Sequence, residues 1–423
     1  RGARVVAVDD VPTERTRARA NEAGVDLVEG PDLASLLSLV TRADVVVPSP
    51  GVPMRHPVFQ MAAESQTPVR GEVELAFRWT RHPIVAVTGT NGKTSVTALI
   101  TDMLEASGVR AVAAGNIGLP LSDAVRRDVD VVVAEVSSFQ LWWTETFRPS
   151  VAIWLNVSED HLDWHPDMGS YIAAKARIWA RQEESDTAVV NADDPVVMAA
   201  SADVSAAVVT YAVNAAGDYR IDNGMLRSPD GDILAVQELQ RALPHDLSNA
   251  LGASATALAA GATMEGVRTA LRNFKTLPHR LSLVADVNGV RWFDDSKATN
   301  PHAALAAIRS FDSVVLIAGG RNKGLDLRVL AEASDRIRAV VAIGEARGDV
   351  NAAFSGVRPV EVASTMDQAV EVAATLAERG DVVLLSPGCA SFDNYGSYSE
   401  RGDDFARAVH QLVAQRRERD GVA

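Results

Sequence analysis

The sequence predicts an α/β protein of two to four domains built on parallel sheets, and three observations predict it. Short β-branched runs alternate with Ala/Leu-rich helical stretches almost from end to end, the pattern of strands joined by helical crossovers. The chain has 423 residues, more than a single hydrophobic core serves. Six of the apolar runs end in polar, glycine-rich clusters, which is where ligands sit in open parallel sheets.

In chain order, strand-like runs fall at residues 5–8, 45–47, 84–87, 131–134, 151–155, 188–190, 290–293, 314–317, 340–343 and 382–385. The opening RGARVVAVDD reads as the second strand of a Rossmann-like unit, so a first strand, a glycine-rich turn and a helix are expected ahead of it. Composition changes at RGEVELAFRWTRHP and again at FKTLPHRLSLV, which divides the chain into residues 1–71, 72–276 and 277–423. Turn signals DNG and SPDGD predict a small β excursion over residues 218–233.

Bulk composition narrows the function. Hydrophobic residues make up 47% and charged residues 23%, ordinary for a water-soluble globular protein. The net charge, 41 − 55 = −14, argues against a nucleic acid or an anionic membrane as the main partner. A single cysteine, Cys389, excludes an internal disulfide and a cysteine-rich metal site, and fits a reducing cytoplasm. No apolar run approaches the ~20 residues of a membrane helix, and no secretory signal pattern opens the chain.

The chemistry begins at PIVAVTGTNGKTSVTALI, a strand–turn–helix over residues 83–100. In the turn Gly89, Thr90, Asn91, Gly92, Lys93 and Thr94, the two glycines let backbone N–H groups close on an anion. Lys93 adds a point charge and Thr94 offers a hydroxyl to magnesium. Val87 stands where the usual phosphate loop has its first glycine, so this is a shortened variant, and the expected occupant is an ATP or GTP phosphate. Glu135, directly after the next strand, is placed to reach the same sheet edge and a phosphate-bound magnesium; otherwise it is a solvated loop acid. NVSEDHLDWH puts His161 and several acids at a third strand end.

Lys175 falls on a helical stripe with Tyr171, Ile178 and Trp179. A lysine whose stem crosses the apolar face while its head reaches water is the ordinary explanation. If it is buried instead, desolvation lowers its pKa and leaves a nucleophilic amine able to take up CO2 as a carbamate. Arg280 follows the second seam, and Asp294, Asp295, Lys297 and Thr299 crowd one strand end. There Lys297 and Lys323 are candidate clamps for carboxylate or phosphate and Asp295 a ribose acceptor, the alternative being a surface charge cluster. Ser391 lies at the last strand end without a histidine in its own motif, which disfavours a serine nucleophile. Cys389 beside it is expected to lack a nearby basic residue to lower its pKa and to pack as a small apolar group.

TGTNGKT, GNIG, EVSSFQL, DHLD with the AAKARI helix, LPHR, DDSKATNP and SPGCASFD occur here in the order found in the Mur ligases, which the chain resembles over nearly its whole length. SSFQL and DDSKATN are most similar to members that add D-glutamate to UDP-N-acetylmuramoyl-L-alanine. The resemblance implies a Rossmann-like first domain for the UDP substrate, a central P-loop-type ATPase domain and a Rossmann-like third domain for the amino acid. It implies ATP and two magnesium sites, with Lys93 on the γ-phosphate, Thr94 and Glu135 on the first metal, and His161 with a carbamylated Lys175 on the second. Asp9 falls near the uracil site, and Asn116, Ser137 and Gln140 on the UDP-sugar-alanine substrate. Asn249 matches the adenine contact, with Arg280 and Asp295 toward phosphate and ribose. Lys297, Thr299, Lys323 and Ser391 match the D-glutamate pocket, with Tyr398 at a usually aromatic position.

Three departures stand out: Asp246 where the family commonly has Asn, Asp294 where some relatives have Asn, and an incomplete UDP-binding start. The expected protein is a cytoplasmic monomer. The alternatives are a Mur-type or folylpolyglutamate-type ligase with another amino acid, or a nucleotide-binding regulatory protein without turnover.

Overall fold

The computed structural model describes residues 2–419. Ile84 to Val87 are buried, and their side chains alternate between two cores. Val85 and Val87 join Val96, Ile100 and Leu251, whereas Ile84 and Ala86 join Val73, Trp154 and Trp179. A strand apolar on both faces must be covered on both, which is the parallel-sheet arrangement. Its sheet runs in the order Ala111–Gly115, Val131–Glu135, Ile84–Thr88, Val151–Trp154, Thr187–Asn191 and Ala207–Tyr211, parallel throughout.

The second large sheet follows the same logic. Val314, Leu316 and Ala318 enter one core, and Val315 and Ile317 the other. Its order is Ser282–Val287, Val290–Asp294, Val382–Leu385, Val314–Gly319, Ile337–Ile343 and Val360–Val362, with only the first pair antiparallel. A smaller unit precedes both: the parallel pair Val6–Asp9 and Asp26–Glu29, with Leu36, Val40 and Ala62 as a minor core. The turn signals of residues 218–233 do fold as a three-stranded antiparallel excursion, Arg220–Asp222, Met225–Ser228 and Gly231–Ala235.

Two expectations change. Residues 45–47 are not a strand: Val46 makes one isolated bridge to Val69, because Pro48 and Pro50 follow with no N–H to continue a ladder. Ala111–Gly115 and Ala207–Tyr211 are strands the apolar runs did not mark. Both lie on sheet edges, and the first is an Ala/Gly segment with little β propensity of its own.

Strand order positions the site. The polar clusters of the central sheet follow three adjacent strands, Val131–Glu135, Ile84–Thr88 and Val151–Trp154. Those of the other sheet also follow three adjacent strands, Val290–Asp294, Val382–Leu385 and Val314–Gly319. Each sheet therefore presents one continuous polar edge.

Candidate active site

The phosphate loop passes directly into the helix Lys93–Ala106. Gly92 caps it in the left-handed region, φ 84°, with no side chain on the first-turn N–H groups, which leaves them for an anion. A Cβ at Gly92 would stand 2.8 Å from Asn249 Oδ1, so conformation and space both require glycine here. Asn156, after the neighbouring strand, braces the loop: its Oδ1 accepts the N–H groups of Thr90 (3.1 Å) and Asn91 (2.9 Å), and its Nδ2 donates to Asn91 O (3.2 Å). Sequence reasoning missed Asn156, although the NVS that closes its strand was on view. Lys93 Nζ donates to the carbonyls of Gly89 (2.8 Å) and Thr90 (2.9 Å).

Lys175 does not reach water. It is 1% exposed, on the helix Met168–Ala176 that Asp167 caps through Ser170 N–H at 2.7 Å. Its ammonium donates to Gly89 O at 2.8 Å and lies 4.7 Å from the Tyr171 ring centroid. Burial, reinforced by the Lys93 charge, holds its pKa well below that of an ordinary lysine. Tyr171 in turn bonds Thr90 Oγ1 at 3.0 Å and packs edge-on to His161. His161 has φ 57° and sits edge-on to Phe139, 4.7 Å between ring centroids. Desolvation pushes its pKa down to about 4, so the imidazole is neutral and able to ligate. His165, which sequence reasoning passed over, is buried against Phe139 and bonded to Ser138 Oγ at 2.9 Å.

Glu135 tests whether a cation fits. It is 2% exposed; Oε1 accepts from Asn116 Nδ2 at 2.8 Å, while Oε2 is buried with no hydrogen-bond partner. An unpartnered buried carboxylate oxygen is costly unless a cation meets it. Among the described residues no three His, Cys, Asp or Glu side chains converge. The single free carboxylate oxygen of Glu135 suits magnesium, which takes one or two carboxylates and completes its shell with phosphate and water.

On the opposing edge, Lys297 Nζ lies 3.8 Å over the Tyr398 ring, and burial lowers its pKa. Lys323 pairs with Asp160 at 3.1 Å. Thr299 is half-buried and Ser391 buried, at the ends of neighbouring strands. Asp295 is 8% exposed; its oxygens accept Ser386 Oγ–H (2.7 Å) and Leu281 N–H (3.2 Å), and burial lifts its pKa to about 7. Asp294 is held by His279 Nδ1 at 2.6 Å. Cys389 packs in the core as expected, its thiol pushed up to about 12 by burial. The expectation of no basic neighbour fails, because the buried Arg401 donates to Cys389 O at 3.1 Å from a later helix.

Asn249 and Arg280 line one cleft, together with Ser95, Leu99, Leu271 and Phe274, a slot with apolar walls beside the phosphate loop. Asp246 is tied to Arg241 at 2.7 and 2.8 Å, and Arg241 also reaches Arg280 O and Leu281 O. The departure at Asp246 thus supplies an internal ion pair. Gln140 and Ser137 cap each other at the start of the helix Ser138–Trp142: Gln140 Oε1 accepts Ser137 N–H at 2.9 Å. Asp9 ends the small sheet and accepts Val11 N–H at 3.0 Å; no described hydrogen bond links it to the other site residues. The small unit is joined to the central one by Trp164 Nε1 donating to Val52 O at 2.9 Å and by Phe59 stacked on Trp143.

The family description "Mur ligase middle domain" matches residues 87–257, and "Mur ligase, glutamate ligase domain" matches residues 279–389. The chain belongs to the Mur ligase family. A UDP-N-acetylmuramoylalanine--D-glutamate ligase of Desulfosudis oleivorans is 42% identical, over 97% of this chain and 92% of the relative. One of the same name from Frankia casuarinae is 44% identical, over 97% and 89%. A pseudomurein peptide ligase type C from Methanothermus fervidus shares the fold at TM-score 0.63 and 16% identity, over 97% of this chain and 95% of that one. As a Mur ligase the protein is an ATP-dependent enzyme that forms amide bonds and uses magnesium. Among the described residues no helix is long and apolar enough to cross a membrane.

Proposed function

We propose that this Mur ligase joins D-glutamate to the alanine carboxylate of UDP-N-acetylmuramoyl-L-alanine, as a cytoplasmic monomer with domains at residues 1–71, 72–276 and 277–423. The observation that carries the reading is the pairing of two loop sets across two sheets, Asn300 on Asn91 and Lys323 on Asp160. It sets a phosphate loop against a pocket containing two lysines. The relatives named above act, by their names, on this substrate pair.

A free carboxylate is a poor acylating agent, so ATP first converts it to an acyl phosphate. The glutamate amine then attacks, and phosphate leaves from the tetrahedral intermediate. Lys93 and the free N–H groups of its helix hold the transferring phosphoryl group; one such electrostatic stabiliser is worth about 2.7–4 kcal/mol. Thr94 and Glu135 would hold one magnesium, and His161 with a carbamylated Lys175 the second. These ions, when bound, neutralise phosphate charge. Asn249, Arg280 and Asp295 receive the nucleotide, Asp9, Asn116, Ser137 and Gln140 the UDP substrate. Lys297, Lys323, Thr299 and Ser391 hold the two glutamate carboxylates, and Tyr398 braces Lys297.

Phosphate release with UDP-N-acetylmuramoyl-L-alanine, ATP and a panel of amino acids tests this. D-Glutamate alone should support turnover, since a diamino acid brings an ammonium toward two lysines. Equal rates with L-lysine or diaminopimelate overturn the assignment in favour of another Mur-type substrate.

A further inference from the structure

Few hydrogen bonds join the residues before 277 to those after it. Among the described residues, two run from Arg241 to the carbonyls of Arg280 (2.9 Å) and Leu281 (3.0 Å), beside the seam itself. The other three share one place. Asn300 Nδ2 donates to Asn91 Oδ1 (3.1 Å) and to Asp160 Oδ2 (3.2 Å), and Lys323 Nζ donates to Asp160 Oδ1 (3.1 Å).

Both central residues are fixed from their own side. Asp160 is 4% exposed and its Oδ1 accepts the His161 N–H at 2.8 Å. Asn300 is 3% exposed, and its Oδ1 accepts Ala303 N–H at 2.8 Å as N-cap of the helix Pro301–Ile308, which aims Nδ2 at the central unit. A buried carboxylate and a buried amide with defined partners resist small displacements, because each lost bond leaves an unsatisfied group.

We propose that Asp160 and Asn300 form an inter-sheet joint that positions Lys323, and with it the amino-acid pocket, against the phosphate loop. Lys323 has three N–H donors. One is spent on Asp160, so Asp160 sets where the other two point. The identity of the pocket's ligand rests on the ligase reading above; the joint itself is a geometric claim about this chain. Asp160 and Asn300 are positioning residues in it.

The experiment uses Asn300→Ser and Asp160→Ala in the full chain. Serine keeps the N-cap, so the helix is retained, but it has no amide N–H to cross between the units. It keeps the Asp160 carboxylate, and with it the His161 N–H bond to Oδ1, in place. Spin labels at Ser205→Cys and Ser355→Cys, both exposed and on opposite sides of the seam, report the inter-unit distance without turnover. With ADP and UDP-N-acetylmuramoyl-L-alanine bound, the parent is expected to show one narrow distance distribution and both variants a broader one. Steady-state kinetics should show KM for the amino acid raised about tenfold, the loss of one charge-assisted bond, with ADP affinity unchanged within about twofold. Distributions as narrow as the parent's overturn the joint. Broadened distributions with an unchanged amino-acid KM overturn its positioning role. A parent that releases phosphate without any amino acid instead sinks the ligase reading, and leaves the distance result standing.

Discussion

Lys93 and Lys175 donate to the same carbonyl oxygen, that of Gly89, each at 2.8 Å. They come from different helices, Lys93–Ala106 and Met168–Ala176, and burial lowers the pKa of both. Two ammonium groups sharing one acceptor in a desolvated pocket repel, and the fully buried one, Lys175, has the stronger reason to give up its proton. The phosphate loop thus holds a buried lysine of lowered pKa next to its charge-bearing one.

Lys175→Ala tests what that amine does. If it carries a carbamate that completes a magnesium site, turnover should fall about 100- to 1000-fold. The helix should persist, since alanine is the better helix former. Short-chain carboxylates should restore part of the rate by filling the vacated space. Near-normal turnover of the variant in bicarbonate-free buffer counts against the carbamate.

Asn156→Ala removes the brace under Thr90 and Asn91 and leaves their N–H groups without that acceptor. The loop should lose its prepared shape. KM for ATP is expected to rise about tenfold and the Asn91 amide to exchange faster with solvent, whereas the Thr90 N–H keeps the Asn156 carbonyl at 3.0 Å. Unchanged exchange would show that the loop holds itself.

Asp295 gives a pH signature. Its folded pKa, about 7, stands above the usual carboxylate value of 3.8, so between the two the folded chain binds the extra proton. Its contribution to stability is present at low pH and is lost as pH rises toward 7, by at most about 4 kcal/mol. Asp295→Asn should flatten the fall in denaturant midpoint between those pH values. An identical pH profile in the variant would place the source elsewhere.

Arg401→Met should be costly although Arg401 touches no proposed ligand. The buried guanidinium ties Ser296 Oγ and O to the carbonyls of Cys389 and Ala390, which links the loops after two adjacent strands. Losing it leaves buried carbonyls unpaired, about 3–5 kcal/mol. Urea midpoints measure this, and a loss under about 1 kcal/mol would mean water replaces the guanidinium.

The sequence by itself determined what is local. The strands are legible in ten apolar runs, nine of which overlap strands, most of them because a strand covered on both faces needs continuous apolar residues. The phosphate loop is legible because Gly92 and Lys93 answer a conformational and an electrostatic demand within six residues. The motif order marked the family. Tertiary structure alone decided whether Lys175 reaches water, because a lysine on an apolar stripe reads the same whether its ammonium emerges or ends on Gly89 O. It alone paired Asp160 with Lys323 and Asn300, 163 and 140 residues away. It also brought Arg401 under Cys389, where sequence neighbours show no cation. Such partners are chosen by how two sheets meet, and the free energy of that choice lies in desolvation and hydrogen-bond satisfaction between distant segments, which no local pattern encodes.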